Sequence, residues 1–103
     1  MYKICFFVPF ENTENVKNAL FKAGAGKIGQ YDHCSWQTAG KGQFRALAGS
    51  QPYTGQQDQL ETVDEHKVEL VCDAEYIQAA IKALKEAHPY EEPAYEVYKL
   101  ESI

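Results

Sequence analysis

The spacing of apolar residues changes period along this chain. Tyr2 to Val8 is rich in aromatic and aliphatic side chains and reads as a strand that Pro9 closes, because proline withholds a ladder donor. Beyond it the period lengthens. Val16, Ala19, Leu20 and Ala23 fall at i, i+3, i+4 and i+7, which marks one buried helix face. Asn12 or Thr13 is placed to cap its start, and Gly24 to take a left-handed cap at its end. Further on, Val63 to Cys72 alternates, with Val68, Leu70 and Cys72 on one side and Lys67, Glu69 and Val71 on the other. Asp73 is set to cap a second helix. Its apolar face is Ile77, Ala80, Ile81 and Leu84, with Lys82, Lys85 and Glu86 outside it. A last strand spans Ala94 to Leu100.

The middle has a different character. All 7 glycines lie between Gly24 and Gly55. Two short runs, YDHCSWQT and QFRALA, flank Gly40-Lys41-Gly42, which predicts a hairpin with Tyr31 to Thr38 pairing against Gln43 to Leu47. AGSQPYTGQQDQ then has the composition of a surface loop, and a loop that long in a small domain is usually functional or interfacial.

The order is strand, helix, hairpin, strand, helix, strand. This predicts an α+β fold of ferredoxin-like type, a split βαβ (βαββαβ) sandwich with an antiparallel sheet. Both helices cover one sheet face. With so many Tyr and Phe residues in the strands, the other face is expected to be a large apolar patch, which self-association would bury.

The densest stretch is HPYEEPAYEVYKL, residues 88–100. Pro89 cannot continue a helix and pushes His88 out of the helical region, so the second helix ends near Ala87. Pro93 suits the start of a strand, and Tyr90-Glu91-Glu92 must turn between them. Tyr90 is expected to pack under the helix terminus. His88, if protonated, would complement the negative helix end.

Composition narrows the function. The chain has 103 residues, enough for one domain spanning 1–103. A formal charge of −5 without a basic run excludes nucleic acid and anionic membranes as partners. Cys5, Cys34 and Cys72 are an odd set with no CxxC spacing, as expected of reduced thiols in the cytoplasm. The opening MYKICFFVPF lacks the flanks of a signal peptide, and no apolar run approaches the ~20 residues of a membrane span.

At this point HPYEEPAYEVYKL, together with GKIGQYDHCSW, GKGQF, the Pro52 to Gly55 loop and EHKVEL, resembles a known domain. It is the PII/CutA-like domain inserted in YqfO-type proteins of the NIF-three-like, dinuclear-metal-centre family. The resemblance runs from Tyr2 to Leu100, and HPYEEP is also similar to the HPYE-x-P corner of CutA. It implies a PII/CutA-like unit that assembles as a homotrimer, here expected as a stand-alone form. The dinuclear metal ligands belong to a flanking domain, so none carries over to this chain. One departure is Ala46, where the family tends to have proline.

Two function classes follow. The first is a non-enzymatic binding or assembly module with no cofactor. Its intersubunit cleft, drawn from Tyr31, Trp36, Phe44, His88, Tyr90, Glu91 and Tyr95, takes a small molecule, or its long loop engages a protein partner. The second is a CutA-like divalent-metal protein using His33, Cys34 or His88. His33 and Cys34 are adjacent on a predicted strand and point apart, which disfavours one mononuclear site. Cys5 and Cys72 read as buried structural thiols. Glu91 and Glu92 diverge in an extended corner, so they make a poor acid/base pair. Cys34 lacks a third orienting group for nucleophilic catalysis. The GxGxxG spacing of Gly24 to Gly29 follows a helix instead of a strand, which reads as a turn and not a dinucleotide cradle.

Overall fold

The computed structural model describes residues 1–103. Six main elements follow in order: β1 (Tyr2–Pro9), α1 (Thr13–Lys22), β2 (Trp36–Arg45), β3 (Leu60–Cys72), α2 (Ile77–Ala87) and β4 (Tyr95–Lys99). The sheet order is β2-β3-β1-β4, and every neighbouring pair is antiparallel. This is the expected ferredoxin-like arrangement: each helix carries the chain over a strand that lies between the two it connects.

Register assigns the faces. Ile4 pairs with Leu70 and Val97, and Phe6 pairs with Val68 and Tyr95, so these side chains stand on one side. Val16 and Leu20 of α1 and Ala80 and Leu84 of α2 close over them to make the core. Leu20, Leu84, Phe6 and Ile4 are fully buried, and burial of side chains this size contributes about 1.5–3 kcal/mol each. The alternating and helical patterns in the sequence point to this core directly.

Helix ends follow backbone rules more than side-chain caps. Each helix is entered through a short 3-10 turn, Phe10–Asn12 and Ala74–Tyr76, and neither Asn12 nor Asp73 makes a side-chain cap bond. The turns' own i to i+3 bonds do that work, such as Tyr76 N–H to the Asp73 carbonyl at 3.0 Å. Thr13 turns its hydroxyl inward instead, 2.7 Å from His66 Nδ1 and 3.3 Å from the Pro9 carbonyl. At the far end of α1 the left-handed cap is realised. Gly24 has φ +110° and donates to Phe21 at 3.1 Å, while Ala25 donates to Leu20 at 3.0 Å.

The middle differs from the expected hairpin. Gly40-Lys41-Gly42 is no turn: residues 36–45 form one continuous strand paired with β3 from Trp36↔Glu69 to Arg45↔Leu60. Tyr31 to Thr38 therefore does not pair with Gln43 to Leu47. The hairpin connection is the 46–59 loop. Glycine serves extended backbone here because space is needed: a Cβ on Gly42 would run into the Glu65 carboxylate.

The open face also departs from expectation. It carries Lys3, Lys67, Glu65, Glu69 and Glu96 between Phe7, Val71, Trp36 and Tyr98, and Lys3 pairs with Glu69 at 2.6 Å. Tyr2, Phe6 and Tyr95 went to the helix face. The surface is thus striped with charge and is not one apolar patch. What does stand out is an arm: β3 residues 60–64 and their β2 partners extend past the end of β1, which stops at Pro9↔Glu65. The molecule measures 46 × 25 × 24 Å.

Candidate functional site

The corner after α2 is set by His88. With φ −69° and ψ 136° it leaves the helix in extended backbone, as Pro89 requires. Its Nε2–H donates to the Phe7 carbonyl at 2.7 Å, and its Nδ1 accepts the Tyr90 N–H at 3.1 Å. Both ring nitrogens are committed. Burial, against a smaller opposing effect of the Phe7 bond, lowers its pKa. The side chain is 6% exposed and neutral, so it ties the corner to β1 and does not serve the helix dipole as a cation.

That tie delivers Tyr90 onto the open face, where a cleft of about 320 Å³ lies. Its floor is Phe7, Gly42 and Glu65, from β1, β2 and β3. One wall is the corner, Tyr90 to Glu92 with Ala94, and the other is Phe44 with Ser50, Pro52, Tyr53 and Thr54 of the long loop. Ring centroids of Tyr90 lie 6.2 Å from Phe44 and 6.1 Å from Tyr53, within the range of favourable aromatic pairs. The loop is held over the cleft by the Gln51 N–H, which donates to Glu91 Oε2 at 3.2 Å. Internal bonds shape it further, including Asp58 N–H to the Ala46 carbonyl at 2.6 Å and Gln57 Nε2 to the Ser50 carbonyl at 2.8 Å. Ala46 itself is buried at the loop's root.

The electrostatics are those of an uncompensated acid. The Tyr90 hydroxyl donates to Glu65 Oε2 at 3.4 Å. Burial pushes the Glu65 carboxyl up, with the Tyr90 bond opposing it. Burial, followed by the neighbouring Glu65 charge, pushes the Tyr90 phenol up to about 12. No lysine, arginine or histidine lines the cleft, and no cation pairs with Glu65, Glu91 or Glu92.

The expected site residues are therefore divided within one copy. Phe44, Tyr90 and Glu91 meet in the cleft, and His88 supports it from behind. Tyr31 and Trp36 lie elsewhere, 75% and 68% exposed; Trp36 borders a shallow surface with Cys34, Lys3 and Glu69. Tyr95 stands on the helix face under Lys85, whose Nζ is 5.6 Å from its ring centroid. Of the candidate metal ligands, His33 packs against Phe21 at 4.7 Å between ring centroids, and Cys34 reaches the Asp32 carbonyl. His88 is away at the Phe7 end of β1. No three His, Cys, Asp or Glu side chains converge as a metal site would need. Tyr53, Gly42 and Glu65 were not anticipated. The available signal was a pair of glycines two apart, which in a strand leave one face bare beside a neighbouring large side chain.

Fold and site together define a CutA/PII-like ferredoxin-type unit with an acidic, aromatic cleft. No protein-family model matches the sequence. The chain is 47% identical over 98 residues to the "GTP cyclohydrolase 1 type 2 homolog" of Mycobacterium tuberculosis, covering 95% of this chain and 26% of that protein. Among solved structures, a Bacillus cereus protein related to NIF3 matches 98% of this chain and 26% of its own, with TM-score 0.83 and 42% identity. CutA1 from Pyrococcus horikoshii covers all of this chain at TM-score 0.71 and 17% identity, with 86% of its own length matched, a likeness of fold. The chain is thus similar to one segment of NIF3-related proteins and spans about a quarter of the relatives it matches.

Proposed function

We propose that this chain is a non-enzymatic, PII/CutA-like binding and assembly module, acting as a homotrimer in the cytoplasm, whose ligand site is the cleft between the 46–59 loop and the 88–93 corner. The observation that carries the reading is that cleft: its volume lies in the range of small-molecule sites, and β2, the 46–59 loop and the corner after α2 converge to wall it. Catalysis finds little support there. The cleft hydroxyls with a defined partner are engaged, Ser50 Oγ donating to the Leu47 carbonyl at 2.6 Å and Tyr90 to Glu65 at 3.4 Å, and no basic group stands ready for a triphosphate, so the GTP cyclohydrolase in the relatives' name is not a reading this unit favours.

Assembly rests on the arm. Two strands projecting beyond their sheet, covered on one face by the 46–59 loop and the 88–93 corner, are a marginal unit in water, and the ten-residue edge of β2 is unpaired along its outer side. A neighbouring copy would cover both. The cytoplasmic placement rests on three free thiols; no helix is long and apolar enough to cross a membrane. The alternative, a divalent-metal protein, would have to complete His33 and Cys34 with ligands from another copy. Native mass measurement of untagged protein tests the reading. A mass of three chains supports it, and a single chain of 11.6 kDa at micromolar concentration overturns it.

A further inference from the structure

We propose that the cleft takes a guanidinium group, stacked among Phe44, Tyr53 and Tyr90 and neutralised by Glu65 and Glu91. This rests on reading the cleft as a ligand site and adds the chemistry of what enters it. Three ligand classes can be weighed. Anions are disfavoured because the walls offer three glutamates and no cationic side chain. A divalent metal is disfavoured because no three ligating groups converge. An organic cation answers both the charge and the apolar walls.

Glu65 carries most of the argument. Its carboxylate occupies the space that a Gly42 side chain would fill, half-buried, with the Tyr90 hydroxyl on one oxygen and no counter-ion. The nearby Lys41 is already engaged by Asp64 at 2.6 Å. A desolvated carboxylate of this kind gains from a cation that also brings hydrogen-bond donors. Glu91 is positioned by the Gln51 amide on one oxygen and offers the other. The rings of Phe44, Tyr53 and Tyr90 line the same cleft, and aromatic π systems attract a cation. A flat guanidinium stacks on such rings while its forked N–H groups reach separate carboxylates, which a compact ammonium does less well.

The source of the group is either a free small molecule or an arginine of a peptide, and both arms are testable on the full chain. Cleft amides, those of Gly42, Gln51, Glu65 and Tyr90, are followed by NMR during titration with methylguanidinium, argininamide and a blocked Gly-Arg-Gly peptide. Methylammonium and inorganic phosphate serve as comparisons. Saturating shifts are expected with all three guanidinium probes, several-fold weaker with methylammonium and absent with phosphate. A peptide binding about tenfold tighter than argininamide supports a protein partner, and near-equal binding supports a small molecule.

Glu65→Gln is expected to weaken the guanidinium probes at least about tenfold while the rest of the spectrum stays folded. Gly42→Ala, which keeps the charge and displaces it, is expected to do the same. Equal binding by wild type and Glu65→Gln overturns the inference, as does methylammonium binding as tightly as methylguanidinium. Phosphate binding at these amides without guanidinium binding sinks this inference and leaves the ligand-site reading standing. No shift with any probe at about 10 mM sinks both.

Discussion

His88 joins three segments through one ring: the end of α2, the Phe7 carbonyl of β1 and the Tyr90 amide. His88→Ala would leave a buried acceptor and donor unpaired, so a loss of about 1–3 kcal/mol in urea unfolding is expected. The ring also sets a pH dependence. Its folded pKa is lowered from 6.5, so the unfolded chain takes up the proton first; stability is full above 6.5 and falls as pH drops toward the folded value. Glu65 works in the opposite sense. Its folded pKa is raised above 4.5, so protonation favours the fold as pH falls through that raised value, fully so below 4.5. Urea midpoints across pH 4 to 8 for His88→Ala and Glu65→Gln should show the first slope vanish in one variant and the second in the other. At pH 7, Glu65→Gln is expected to melt no lower than wild type, since it relieves a carboxylate that the free protein does not pair.

The elements differ in how openly the residues announce them. Both helices and the β1–β3 core could be read from period alone, because Val16, Leu20, Ala80 and Leu84 face strands whose alternation is equally plain. The Gly24 cap was legible for the same local reason. Gly24→Ala would force a Cβ to 2.7 Å from the Tyr76 ring at a φ that L residues avoid, and a loss on the order of 1–3 kcal/mol in denaturant midpoint is expected. β2 was not legible. Gly-Lys-Gly has turn composition, and what overrides it is tertiary: pairing with β3 and room for Glu65. The cleft was half legible. Tyr90 and Glu91 sit in an aromatic, proline-marked stretch and Phe44 follows a glycine pair, features that invite notice, whereas Glu65 looks like any solvent-facing position of an alternating strand until its neighbours are known.

At the scale of the whole molecule the charge-striped open face weakens the case for association through a greasy sheet. The case now rests on the arm. The radius of gyration, 14.5 Å, exceeds the ~13 Å of a compact chain this long, which is the arm's extension expressed as one number. Leu47 and Leu60 at its tip are 58% and 65% exposed, a cost that a neighbouring copy would remove. Hydrogen exchange of the arm amides, 41–45 and 60–64, measured across protein concentration tests this most directly. At concentrations where copies associate, the arm should exchange as slowly as the β1–β3 pairs and lose that protection on dilution. Fast exchange at every concentration, equal to that of the 46–59 loop, would contradict it.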